Sequence, residues 1–309
     1  MIIRPNIMVS VCMITYGHED YIKQAIEGVL MQECDFEVEL LIADDCSPDC
    51  TQTIVEEIKR THKNAHWIRY VKHQPNKGMI PNFVWALQEC RGKYIALCEG
   101  DDYWTDVLKL QKQVGFMEGN SDFSAIASNS LIKYEGNNKA SHNFKKNIKD
   151  TLVTNDFLEG RHFHTATYMF KKELFKSDFP TNILSGDRTL FLLISCFGKT
   201  KMIPEITAVY RKNEGGISNN VISEQMMRDF NLLPFIKKYS NNKISFDKLK
   251  AFIALTVISY SHSIEKKHFL QASLALILSN FKQQTNLKNG IKSVYKNLSI
   301  VKKYYYKVK

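Results

Sequence analysis

Apolar positions in the first hundred residues switch repeatedly between two periods. Residues 7–14 form a short apolar run rich in β-branched side chains, the pattern of a buried strand. Residues 21–31 then place Tyr21, Ile22, Ala25, Ile26, Val29 and Leu30 at helical spacing. Residues 38–43 predict a second strand, and residues 51–60 a second helix with Ile54, Val55 and Ile58 on one face. The alternation continues with a strand at 67–71, a helix at 81–90 and a strand at 93–98. Pro81 sits in the first turn of its helix, where a missing N–H costs nothing. Strands alternating with helices of about ten residues predict an α/β fold with a parallel, doubly wound sheet. Ligands of such sheets bind beyond the carboxyl ends of the strands.

Past Asp102 the pattern loosens. A helix is expected over 106–117, a strand over 123–128, and a polar loop over 135–150. A strand at 165–170, a helix at 187–197 and a strand at 206–211 follow; beyond residue 220 apolar stripes at helical spacing alternate with basic residues. The net charge of +10 sharpens this break. Residues 1–219 carry 26 Lys/Arg against 28 Asp/Glu, whereas residues 220–309 carry 16 against 4. The whole basic excess is therefore C-terminal, which predicts one domain over 1–219 and a basic helical region over 220–309.

At 44% apolar residues the chain can bury a sizeable core and is too apolar for disorder. Seven cysteines, odd in number and set in or beside apolar runs, predict reduced thiols; Cys46 and Cys50 lack the CxxC or paired histidines of a zinc site. The start of the chain lacks a basic segment leading into an apolar stretch, and no apolar run approaches the roughly 20 residues of a membrane span. The expected location is cytoplasmic, with a peripheral place at the inner face of the plasma membrane compatible with the basic end.

Three of the four strand ends deliver polar groups: Thr15-Tyr16, Asp44-Asp45 and Glu99-Gly100-Asp101-Asp102. Carboxylates gathered at a ligand-binding edge repel one another unless a cation or donor-rich ligand lies among them. A hard divalent ion bridging phosphates, Mg²⁺ or Mn²⁺, suits such a cluster. The plainer role for Asp102 is to cap the following helix, although Thr105 and Asp106 lie closer to its start. The loop after the first strand has one glycine, so it lacks the G-x-G-x-x-G of dinucleotide-binding folds, and no P-loop is present. A nucleotide bound here would depend on carboxylates, a metal and side chains.

The runs VSVCMITYGHEDYIKQAIEGVLMQ, LLIADDCSPDCTQTIVEEI, NKGMIPNFVWAL and GKYIALCEGDDYW, in that order over about the first 105 residues, resemble the family 2 glycosyltransferases of the GT-A fold. The likeness is strongest to bacterial members that build lipopolysaccharide, O-antigen or capsule; SGDRTLFLLIS and AVYRKNEGGIS match more loosely. The resemblance implies a mostly parallel central sheet flanked by helices, with the C-terminal helical segment appended. It implies an inverting, metal-dependent transfer from a nucleotide-diphosphate sugar, a UDP-sugar favoured, to a glycan or lipid-linked acceptor. Thr15 and Asp45 would hold the base, with Tyr16 and Glu19 shaping the same pocket. Asn76, Lys77, Gly78 and Asn82 would lie near ribose and diphosphate, Asp101 on the ribose side, and Asp102 on the Mn²⁺ or Mg²⁺ ion. Asp187 would be the general base, and its plainer role is a helix N-cap. Asn213 stands where family members often carry a histidine, a weaker metal ligand at that place. His164-Thr165 is a further candidate for the acceptor region.

The closing Lys302-Lys303-Tyr304-Tyr305-Tyr306-Lys307 suits an anionic bilayer surface, while simple packing on the catalytic unit would leave the same lysines in water. No recognition motif accompanies the charge, so nucleic acid is not an expected partner. Two other classes share parts of the pattern: a sugar-phosphate nucleotidyltransferase, and a non-catalytic nucleotide-sugar-binding homologue.

Overall fold

The structure, a computed structural model, describes residues 7–136, 139–213, 221–261, 263–284 and 286–308. The chain clusters into two compact units. The first comprises Met1–Val153, Arg161–Phe179 and Phe197–Asn213; the second comprises Thr154–Gly160, Pro180–Cys196 and Glu214–Lys309. The expected domain boundary at 219/220 falls outside the described residues.

The first unit holds β1 (Val9–Thr15), α1 (Ile22–Leu30), β2 (Val38–Asp44), α2 (Thr51–Thr61), β3 (Ile68–Lys72), α3 (Met79–Glu89) and β4 (Tyr94–Leu97). After these come β5 (Tyr103–Trp104), α4 (Lys109–Gly119), β6 (Phe123–Tyr134), β7 (His142–Asn143), β8 (Thr151–Leu152), β9 (Met169–Lys171) and β10 (Lys199–Lys212). They form one sheet in the order β3-β2-β1-β4-β9-β6-β10-β5, with β7 on β6 and β8 on β10. β1 pairs in parallel with β2 and β4, and β2 with β3. β2 is buried along its whole length and β1 nearly so, which explains their unbroken apolar runs: parallel strands are covered on both faces.

β9 enters antiparallel between β4 and β6, while β6 and β10 run parallel. The strand expected over 165–170 starts late. The His164 carbonyl accepts both the N–H (3.0 Å) and the Oγ1 hydroxyl (2.7 Å) of Thr167, so Thr165–Thr167 forms a 3-10 turn before β9 begins. The polar stretch 135–150 carries the short β7.

The core between sheet and helices includes Val11, Met13, Ile26, Leu40, Ile42 and Trp104. Trp104 is almost fully buried, and its indole N–H donates to the Ala166 carbonyl at 2.7 Å. Helix α1 reaches β5 through Gly28: a Cβ there would lie 2.8 Å from the Trp104 nitrogen and 3.0 Å from its carbonyl oxygen. Backbone meets backbone at that point, with no side chain between.

The second unit holds α5 (Gly186–Ser195), α6 (Ser223–Met227), α7 (Leu232–Tyr239), α8 (Phe246–Tyr260), α9 (Lys266–Lys282) and α10 (Leu287–Tyr304). Ala254, Val257, Ile258, Phe269, Ala272 and Leu276 form the centre of its own core. Among the described residues no helix is long and apolar enough to cross a membrane.

Gly28→Ala tests the close approach. Helix propensity alone favours alanine by about 1 kcal/mol. The contact with Trp104 backbone should reverse that sign and lower stability by about 1–3 kcal/mol, read as a lower urea midpoint. An unchanged or higher midpoint would show that α1 and β5 can separate freely.

Candidate functional site

The turns after β1 and β2 are joined directly, since the Asp45 N–H donates to the Thr15 carbonyl at 2.9 Å. Asp45 is buried and spends both carboxylate oxygens on the loop before α3. Oδ1 accepts the Lys77 N–H at 2.7 Å and Oδ2 the Gly78 N–H at 2.9 Å. Asn76 closes the arrangement by donating from Nδ2 to the Asp45 carbonyl at 2.7 Å. Hydrogen bonds from backbone N–H to a carboxylate are short and strong, so this loop has a fixed shape. Gly78 has φ +90°, a conformation costly for any side chain, and it starts α3. The structure thus brings Asp45, Asn76, Lys77 and Gly78 together. Asn82 lies deeper: it is buried, and its Nδ2 donates to the Ala43 carbonyl at 2.9 Å, pinning α3 to β2.

Thr15 Oγ1 and His18 Nδ1 share a hydrogen bond of 3.1 Å. Both press on Gly100, where a Cβ would lie 2.6 Å from Thr15 Oγ1 and 3.0 Å from His18 Nδ1. The Gly100 N–H donates to the Ile14 carbonyl at 3.0 Å, so the Glu99–Asp102 turn is seated against the end of β1. Tyr16 is exposed beside it. Glu19 turns its carboxylate to the Cys50 N–H at 2.9 Å, next to the start of α2, and gives its own N–H to Asp49. Asp49 in turn accepts the Thr51 N–H at 3.1 Å, at the start of α2, whose N-cap position is Cys50.

Asp101 is partly exposed, whereas Asp102 is buried behind it. Asp102 Oδ1 accepts the Arg211 N–H at 2.9 Å, and Oδ2 lies 3.4 Å from His164 Nδ1. Burial, with the charges of Asp101 and Glu99 adding to it, pushes the Asp102 carboxyl well above the usual carboxylate range. His164 is held well below its usual range by burial, with Arg161 and Lys212 adding to the effect. Its ring stacks on Tyr210 at 3.9 Å, and Nδ1 accepts the Ala166 N–H at 3.3 Å.

Arg211 organises this corner. Its guanidinium donates to the Asp101 carbonyl at 2.7 Å, to Glu135 at 3.1 Å and to Gln24, and it lies 4.3 Å from the Tyr103 ring centroid. The sequence offered Arg211 only as one letter of a loose motif. Its partners are up to 187 residues away in the chain, so no local pattern marks it. Among the described residues no group of three or more His, Cys, Asp or Glu is arranged to hold a metal.

Asp187 belongs to the second unit, in the first turn of α5, where its carboxylate accepts the Arg188 N–H at 2.7 Å. The N-cap position is Ser185. Asp229 holds that residue from below: Oδ1 accepts the N–H groups of Leu184 (2.8 Å) and Ser185 (2.9 Å), and Oδ2 accepts the Ser185 hydroxyl at 2.6 Å. Asp229 is buried, lies 42 residues further along and carries no motif. Sequence reasoning had nothing with which to find it. The loop 214–218 lies outside the described residues.

The family model described as "Glycosyl transferase family 2" matches residues 10–179. An uncharacterized protein of Mycobacterium tuberculosis is 32% identical over 221 residues, 70% of this chain and 62% of that protein, so the chain spans less than two thirds of that relative. The Escherichia coli protein WfaP, described as a UDP-Glc:alpha-D-GlcNAc-diphosphoundecaprenol beta-1,3-glucosyltransferase, is 26% identical over 77% of this chain and 90% of its own length. Among solved structures, residues 1–349 of Staphylococcus aureus TarS in complex with UDP-GlcNAc align with a TM-score of 0.65 at 18% identity, covering 97% of this chain and 91% of that one. The Pyrobaculum calidifontis mannosyltransferase PcManGT, in complex with GDP-Man and Mn²⁺, aligns at 0.54 and 17% identity, over 98% of this chain and 83% of that one.

At the start of α4, Lys109 is fully buried, 4.0 Å from the Trp104 ring centroid, and donates to Gln113 Oε1 at 2.9 Å. Burial lowers its pKa from 10.5 to about 7. Below about pH 7 the ammonium is charged in both folded and unfolded chains, and its burial penalty is present in full. Between about 7 and 10.5 only the unfolded chain keeps the proton, so stability should rise with pH through that window. Lys109→Met should remove this rise, seen as the difference between the two proteins' denaturation free energies across pH. A pH-independent difference would mean that Lys109 titrates normally.

Proposed function

Since the chain belongs to glycosyl transferase family 2, we propose that it moves a sugar from a nucleotide-diphosphate donor, a UDP-sugar by preference, onto a glycan or lipid-linked acceptor of a bacterial surface polysaccharide. The observation that carries this reading is the convergence of Thr15, the Asp45-gripped Asn76–Gly78 loop and Asp101 at the carboxyl ends of β1, β2 and β4. TarS carries UDP-GlcNAc in its crystal structure, and WfaP is described as using UDP-Glc on a diphosphoundecaprenol-linked sugar. Both support a uridine donor, and WfaP an acceptor of this class.

In this reading Thr15, Tyr16 and the Asp45 turn receive the base. The Lys77 side chain, whose backbone is fixed by Asp45, approaches the diphosphate. A divalent ion fits the carboxylate turn because Asp102 is buried beside the like charges of Asp101 and Glu99, which together raise its carboxyl and which a cation would offset. Asp102, the ligand the resemblance implies, would hold it, and the partly exposed Asp101 beside it would add its charge to the site. Mn²⁺ or Mg²⁺ there would neutralise charge growing on the departing diphosphate. Its remaining ligands would be phosphate oxygens and water. PcManGT, solved with GDP-Man and Mn²⁺, supports the choice of ion.

Inversion requires the acceptor oxygen to attack the anomeric carbon as the bond to the diphosphate breaks. The acceptor hydroxyl's proton passes to a carboxylate, and we assign that role to Asp187. Asp229 holds Leu184 and Ser185 and so fixes the backbone from which Asp187 projects. The α5 N-terminus favours the ionised form a base needs.

Thermal-shift and calorimetric titration against UDP-, GDP-, dTDP- and CMP-sugars with Mn²⁺ should select UDP-sugars. Asp102→Asn should abolish the Mn²⁺-dependent part of donor binding. Asp187→Asn should leave donor binding intact and slow transfer about 10²–10⁴-fold. Undiminished transfer in Asp187→Asn would remove it as base. Preference for a nucleoside triphosphate over every nucleotide sugar would instead indicate a nucleotidyltransferase.

A further inference from the structure

Two apolar stripes on the second unit face solvent. On α9, Leu270, Leu274 and Leu278 recur every four residues and are at least half exposed, with Leu274 at 58%. The same helix buries Phe269, Ala272 and Leu276, so the stripe lies on the side turned away from the unit's core. On α10, Leu287, Ile291, Tyr295 and Leu298 repeat the spacing and are also exposed, with Tyr295 at 71%. The two helices form one platform. Gly290 approaches the Phe281 ring so closely that a Cβ would meet it at 2.6 Å, and Asn280 donates to Asn297 at 3.0 Å. The Phe269 and Tyr305 rings meet at 5.6 Å at the other end, so α10 runs back along α9.

Charge on this platform has one sign. Residues 266–308 contain nine lysines and neither Asp nor Glu. Lys288, Lys292 and Lys296 form a row of like charges at i, i+4 spacing beside the α10 stripe; on α9, Lys282 lies in the last turn, while Lys267 is paired with Glu265 at 3.2 Å. A helix built only for solvent would alternate such lysines with glutamates, since like charges four apart cost a few tenths of a kcal/mol per pair. A row of uncompensated lysines beside a row of exposed leucines and a tyrosine matches a bilayer with anionic headgroups. The apolar side chains enter the acyl boundary and the ammonium groups reach the phosphates.

We propose that the α9–α10 face is a docking surface for an anionic lipid bilayer, holding the protein at the membrane without crossing it. This goes beyond the catalytic reading and does not depend on it, because the test reads binding alone.

The full chain is mixed with vesicles of phosphatidylcholine alone or of phosphatidylcholine with an equal part of phosphatidylglycerol, and bound protein is measured by flotation. Binding should require phosphatidylglycerol and weaken with added salt. Leu274→Asn with Tyr295→Asn should weaken it at least about tenfold. Lys288→Gln, Lys292→Gln and Lys296→Gln together should weaken it about a hundredfold, taking roughly 1 kcal/mol per lysine near the surface. All five positions are on the solvent side, and circular dichroism confirms the fold of each variant; should the apolar pair fail to fold, the lysine triple decides. No binding to phosphatidylglycerol vesicles overturns the proposal, as does binding that the apolar pair leaves unchanged. A dimer seen by light scattering and dissolved by the same apolar pair would also overturn it, assigning the face to a second copy of the chain.

Discussion

A buried carboxylate at the end of a strand has to be met by something, and in this protein Arg211 meets it. Its backbone N–H bonds Asp102, and its side chain reaches the Asp101 carbonyl, Glu135 and Gln24 while lying on Tyr103. One residue of β10 therefore holds the acidic turn after β4, the start of β5 and a side chain of α1. A partner-less aspartate in that position would carry a desolvation cost of several kcal/mol. With Arg211 in place, the turn can present Asp101 to solvent while Asp102 stays inside. Exposure divides the two neighbouring carboxylates, and their chemistry divides with it.

How much of this was legible in the sequence depended on whether a contact is local. The β1–β4 alternation was readable because each element has its own hydrophobic period and its own buried face. Asp45 was readable as a strand-end carboxylate but the Asn76–Gly78 loop only through resemblance, although the structure supplies a plain reason for their pairing: two backbone N–H groups on one carboxylate. The late start of β9 was not readable, because the 3-10 turn at Thr165–Thr167 depends on hydrogen bonds to the His164 carbonyl that an apolar pattern does not encode. Asp229 and Arg211 were hidden for the same reason. Both are single polar letters whose importance lies in partners far along the chain.

The two units solve different physical problems. In the first, polar groups are buried and held by specific hydrogen bonds, which fixes geometry at the strand ends. In the second, the α8–α9 core is apolar and lysines far outnumber the acidic residues around it. The basic excess noted in the sequence thus lies where there is little acidic surface to neutralise it within the chain. A net charge of +10 carried this way acts as a local field, not as a property of the whole molecule.

Gly100 has a consequence of its own. With Thr15 Oγ1 at 2.6 Å and His18 Nδ1 at 3.0 Å from where a Cβ would stand, the turns after β1 and β4 are in direct contact. They cannot hinge against each other without opening a void or forcing an overlap. The spacing between the Thr15 hydroxyl and the Asp101 backbone is therefore built in as on a gauge block. Any ligand that spans the two must match that length when it arrives.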